Sequence, residues 1–180
     1  MKNTRQTNTL TDFVTGKEVT DTGSEANRQA VERVLVEEKG FGKSEIDVDT
    51  RMEMRIAGEI YRSAADLVIR VDGRRFMLIK CAAGSLGSRE REAVSAARLL
   101  DTYQIPFAAV SDGKTAIVLD TVSGKRIGEG LDAIPAKEEA VKQFQGLPLF
   151  PLSDERREKE KLIFRSYDSM NVNRSCADIS

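Results

Sequence analysis

The chain has 180 residues, about one domain's worth and long enough to bury a sizeable core, and its 40% hydrophobic and 32% charged residues exclude a disordered or fibrous protein. A net charge of −1 gives the whole no pull toward polyanions, and no run approaches the roughly 18 apolar residues of a membrane span. With no histidine and only two cysteines, Cys81 and Cys176, Ser-His-Asp catalysis, Cys-His catalysis and a structural zinc site are excluded.

Any chemistry therefore falls to carboxylates, lysine and a hard metal. Both cysteines read as inert, Cys81 because it sits in an apolar strand. Residues 1–10 (MKNTRQTNTL) lack the apolar centre of a signal peptide, so no membrane association and a cytoplasmic location are expected.

Residues 1–20, rich in Thr, Asn and Asp without periodicity, are expected to form a flexible arm. Ser24 then reads as an N-cap, and Ala26, Ala30, Val31, Val34 and Leu35 recur at helical spacing until Gly40-Phe41-Gly42, which predicts a helix over 24–39. Short alternating runs at 46–49 and 52–60 precede two strands reversing near Asp72-Gly73. Ser88 can cap a helix whose stripe is Ala93, Ala96, Ala97, Leu100 and Tyr103, and FAAVS and TAIVLD follow as strands around Asp112-Gly113.

Beyond Asp120 the pattern predicts a glycine-spaced loop through Gly130 and a short helix near 136–144. A last helix from Ser153 to Arg165 follows, its DERREKEK face toward solvent. The ending from Met170 is expected to be disordered. The domain boundaries are thus an arm at 1–20, a folded domain at 21–145 and a helical extension with its tail at 146–180. The fold class is α/β: a mixed β-sheet flanked by helices in the order α-β-β-β-α-β.

The segment AADLVIRVDGRRFMLIKC carries the chemistry. Alternation places Asp66, Val68 and Arg70 on one face of the outgoing strand and Phe76, Leu78 and Lys80 on one face of the return. A three-residue loop of Val71, Asp72 and Gly73 would pair residues 70 with 74, 68 with 76 and 66 with 78, gathering the apolar side chains behind and setting Asp66 beside 78 and 80. Carboxylates on adjacent strands can hold Mg2+ with water positions open. A neighbouring lysine can orient the attacking water in phosphodiester hydrolysis, and Glu25 on the first helix could complete the cage.

Residues 51–80 hold seven bases against four acids, whereas residues 1–50 hold seven bases against ten acids. Arg62, Arg70 and Lys80 are therefore candidates to meet phosphates, although a solvated sheet face accounts for the same arginines.

These residues resemble the PD-(D/E)xK nucleases, and within them the relatives of the N-terminal domain of type I restriction enzyme R subunits. The likeness rests on Glu25, Arg28 and Gln29 in SEANRQAVERVL, Arg62 and Asp66 in YRSAADLVI, Lys80 in MLIKC and the downstream QIPFAAVSDGKTAIVLD, over about residues 20 to 135. It implies a restriction-endonuclease-like core with Glu25, Asp66 and Lys80 as the catalytic set and Asp66 and Glu25 as Mg2+ ligands. Where the family carries Glu-x-Lys this chain has Leu78-Ile79-Lys80, and in place of a helical Gln-x-x-x-Tyr it has Glu92 and Ala96.

Two outcomes follow from the resemblance: a DNA-binding, Mg2+-dependent endonuclease (a deoxyribonuclease) weakened by the missing acid, or a catalytically degenerate form that keeps the binding face. Glu90 or Glu92 could supply the missing carboxylate. The alternative from another class is a protein-interaction module that forms a homodimer or docks other restriction-system subunits. No GxxxxGK[ST] motif is present, so ATP-driven translocation is expected to belong to another chain.

Overall fold

The computed structural model describes residues 8–170; Cys176 and the ending expected to be disordered lie outside the described residues, apart from Met170. Residues 1–7 of the expected arm lie outside the described residues, and the rest of it carries a short hairpin. Thr9–Thr11 (β1) and Glu18–Thr20 (β2) pair antiparallel, and Asp12 Oδ1 closes their turn by accepting from the Thr15 N–H at 2.6 Å and the Thr15 hydroxyl at 2.7 Å.

The first helix, Glu25–Arg33 (α1), begins after Ser24 as expected, and its last turn loosens into a π-helical turn over Val34–Glu38. A six-stranded sheet follows, built from Ile46–Ile56 (β3), Glu59–Val71 (β4), Arg74–Cys81 (β5), Phe107–Ser111 (β6), Ala116–Asp120 (β7) and Arg126–Glu129 (β8), in the spatial order β3-β4-β5-β6-β7-β8. Glu90–Leu99 (α2) carries the crossover between β5 and β6, the one parallel pair in this sheet. Lys137–Phe144 (α3) and Asp154–Met170 (α4) close the described chain.

This is a mixed α/β fold, and its β8 edge strand was not expected. Residues 126–129, expected as loop, pair with β7 because Gly128 lets Ala133 approach: a Cβ on Gly128 would stand 2.6 Å from that of Ala133. The two alternating runs at 46–49 and 52–60 merge into one hairpin, β3 continuing through Asp49 (φ 50°), where the strand kinks.

The sheet is covered on both faces, so its central strands are apolar on both. Val31 and Leu35 of α1 and Phe144 of α3 pack with Leu67, Ile69 and Ile79. Ala93 and Ala97 of α2 and Phe164 of α4 pack with Met52, Val68 and Leu78. Apolar side chains are therefore not all gathered behind Asp66, as alternation alone suggested.

The β4–β5 turn also differs from expectation. Asp72 and Gly73 (φ 50° and 76°) form a two-residue turn with Val71 opposite Arg74, and the pairing then slips from Arg70 opposite Arg75 to Ile69 opposite Met77. The extra residue on β5 is Phe76, which packs edge-on to Phe107 and Phe144 at ring-centroid distances of 5.0 and 5.7 Å. The bulge lets the chain keep a tight primed turn and still bury that ring.

The charged run of the last helix is mostly exposed, as expected, but one acid within it is buried against the domain. Glu160 is 5% exposed and accepts from Arg98 Nη1 at 2.5 Å, Ser95 Oγ at 2.8 Å and Arg91 Nη2 at 3.2 Å. Asp168 accepts from the Tyr61 hydroxyl at 2.6 Å, and Ala57 at the tip of the β3–β4 hairpin lies beside Glu155 and Leu162. Helix α4 is thus clasped between that hairpin and α2.

Glu160→Ala strands the buried Arg98 guanidinium without its acid. It is expected to lower the unfolding free energy by about 3–5 kcal/mol in urea denaturation. A loss below about 1 kcal/mol would show that α4 does not dock through this carboxylate.

Candidate functional site

Beyond the bulge the β4–β5 register sets Val68 opposite Leu78 and Leu67 opposite Ile79, so the next step brings Asp66 level with Lys80. Asp66, Leu78 and Lys80 do share a face, but the side chain beside Asp66 is Lys80, two residues further along than a three-residue loop would give. Leu78 is fully buried among Val68 and the alanines of α2.

Lys80 is the centre of a buried ion cluster. Its Nζ lies 2.8 Å from Glu92 Oε1 and 3.7 Å from Asp66 Oδ2. Asp66 Oδ2 also accepts from the Cys81 N–H at 2.8 Å, and Arg89 reaches Glu92 Oε2 at 3.5 Å. Asp66 and Glu92 are 2% and 1% exposed. Helix α2 therefore does turn an acid inward at Glu92, while Glu90 faces outward and pairs with Arg126. Burial, with Asp66 as the next cause, pushes the neighbouring Cys81 thiol well above its usual range, in keeping with an unreactive cysteine.

Glu25 is held elsewhere. Its Oε1 accepts from Arg28 Nη2 at 2.6 Å and from Gln29 Nε2 at 2.9 Å. Arg28 also meets Asp49 at 2.8 Å, Asp12 at 3.1 Å and Glu32 at 3.9 Å. The predicted set thus divides: Asp66 and Lys80 come together with Glu92, whereas Glu25 joins a second buried cluster around Arg28. That arginine joins the β1–β2 hairpin, α1 and the kink in β3. Glu25, Arg28 and Glu32 stand at i, i+3 and i+7, one face of a helix turning inward, and that spacing was the sequence signal for this cluster.

The candidate phosphate ligands are also dispersed. Arg62 pairs with Glu53 at 2.9 Å near the outer end of the β3–β4 hairpin, and Arg70 pairs with Asp47 at 3.1 Å and donates to the Ser44 carbonyl. Eight residues of strand separate them by about 26 Å, and Lys80 is committed to its acids.

Within the second cluster two carboxyls are buried side by side, with Asp12 Oδ2 and Glu32 Oε1 both withdrawn from solvent. Burial and then the charge of Asp12 push Glu32 up to about 7. Burial alone would raise Asp12 too, but the Thr15 hydrogen bonds and Arg28 outweigh it and hold Asp12 below its usual range. Glu32 is therefore the proton carrier of the pair.

Because the folded value of Glu32 lies above the ordinary 4.5, its contribution to stability is complete below about pH 4.5 and is lost as the pH rises through about 7. The melting temperature is expected to fall over that window, and Glu32→Gln, which mimics the protonated acid, is expected to flatten the fall. A wild-type melting temperature constant from about pH 5 to 8 would contradict the shared proton.

Metal fit can be judged from these contacts. The two acids nearest one another across the strand and α2 are bridged by an ammonium, the third expected acid belongs to Arg28, and among the described residues no three His, Cys, Asp or Glu side chains are grouped to hold a metal ion. The residues present do not fit Mg2+.

A mixed α/β domain with an aspartate and a lysine side by side on its central strands is the class that these elements define. Over residues 23–135, more than half of its length, the chain matches the family described as type I restriction enzyme R protein N terminus, and it belongs to that family. This ties it to restriction systems; α4 lies outside the matched stretch. No curated protein and no solved structure gives a significant match. Among the described residues no helix is long and apolar enough to cross a membrane.

Proposed function

We propose that this chain is a restriction-endonuclease-like domain that binds DNA without cutting it, as a component of a restriction system. The observation that carries this reading is the Lys80 ammonium standing between Asp66 and Glu92, where a catalytic cation would need those same carboxylates. The position of the acid in the family's Glu-x-Lys is Leu78 here, fully buried against α2, so it offers no carboxylate. A cation built into the chain competes with a metal ion for those carboxylates. The family supports the restriction-system setting, in which other subunits are the natural protein partners.

Incubation of the protein with plasmid and oligonucleotide DNA in Mg2+ or Mn2+ tests this, alongside a gel-shift series with the same DNA. Retarded duplex with no cleavage is the expected result. Metal-dependent cleavage abolished by Asp66→Ala would overturn the non-cutting reading, and absence of any duplex binding at low salt would overturn the binding one.

A further inference from the structure

We infer that duplex DNA meets this protein at a basic groove between strand β3 and helix α4, away from Lys80; this rests on the DNA-binding reading above. Strand β3 is an edge of the sheet, and alternation turns Met52, Met54 and Ile56 into the core while Arg51, Glu53 and Arg55 face outward. Arg51, Arg55, Arg157 and Lys161 line one groove together with Glu53 and Leu100.

The groove is electropositive after its internal pairings are counted. Glu53 is engaged by Arg62, and Lys161 is engaged by Glu158 at 2.5 Å. Arg157 spends its guanidinium on the Leu99 and Asp101 carbonyls, which fixes its position without cancelling its charge. Arg55 donates to the Gly58 carbonyl at 3.0 Å, again keeping its charge, and Arg51 has no acid within ion-pair distance among the described residues.

The spacing suits a duplex. Arg51 and Arg55 lie four residues apart on an extended strand, about 13 Å, close to the roughly 12 Å width of the major groove whose phosphates two such side chains could straddle. Contacts of this kind go to the backbone and position the domain without reading sequence. Two of the four basic residues of the groove, Arg157 and Lys161, come from α4, beyond the stretch that matches the family, so the C-terminal helix would contribute to DNA binding as well as to folding.

The test is the salt dependence of binding to a short duplex by fluorescence anisotropy, comparing the full chain with Arg51→Ala/Arg55→Ala and, as control, Arg126→Ala on β8. Both groove arginines are exposed, so the double variant keeps its core. Losing two phosphate contacts should make the slope of log K against log salt shallower by about 1.8, and the control should leave it unchanged. Wild-type binding with the same slope in the double variant would overturn the groove while leaving DNA binding intact. Absence of duplex binding by the wild type would overturn the DNA-binding reading, and the groove with it.

Discussion

Lys80→Met is expected to lower the unfolding free energy by about 3–5 kcal/mol, because it removes one partner of a buried ion cluster and keeps the shape of the chain. Asp66 and Glu92, 2% and 1% exposed, would then face one another's charge without the ammonium that lies between them. Urea denaturation measures the loss. A divalent cation could take up the freed carboxylates, so Lys80→Met should also gain a melting-temperature rise with Mn2+ that the wild type lacks. A Lys80→Met protein as stable as the wild type, and indifferent to Mn2+, would mean that the ammonium holds nothing together.

Leu78→Glu carries the opposite expectation from the one its sequence position suggests. If residue 78 stood beside Asp66, the new carboxylate would complete a metal cage. In the observed register residue 78 lies opposite Val68, fully buried against α2. Placing a carboxyl there removes a buried leucine and leaves a polar group without a partner, at a cost of about 5 kcal/mol or more. The variant is expected to unfold or to lose its cooperative transition, with no rescue by Mn2+. A folded Leu78→Glu protein that binds Mn2+ would show that the register is the one with residue 66 opposite 78.

These two variants mark where sequence reading stops. Helical spacing in 24–39 and 88–103 and alternation in 64–81 sufficed to outline α1, α2, β4 and β5, and to put Asp66 and Lys80 on one face, because those periods are local properties of the chain. Which residue stands beside Asp66 is not local. It depends on the bulge at Phe76, and that bulge is fixed by Phe107 and Phe144, rings brought in from β6 and α3. Without that extra residue the tight turn would set Ile79 opposite the aspartate; with it, Lys80 stands there.

The Arg28 cluster was hidden for a related reason. Asp12, the Glu25 and Glu32 pair, and Asp49 come from three separate parts of the chain, the β1–β2 turn, α1 and β3, and Asp49 reaches the guanidinium where β3 kinks at a positive φ. Only the Glu25, Arg28 and Glu32 stripe was visible on the helix itself. The burial of Glu160 was likewise masked by its surroundings, since a run of charged residues hides the one acid whose partners, Arg98 and Ser95, sit on another helix.

A domain that does not cut requires that the space between Asp66 and Glu92 already holds its positive charge. Calorimetric titration of the wild-type protein with Mn2+ addresses that directly. No saturable heat is the predicted result, since the Lys80 ammonium occupies the acids. Saturable binding of one ion per chain, lost in Asp66→Asn, would contradict it.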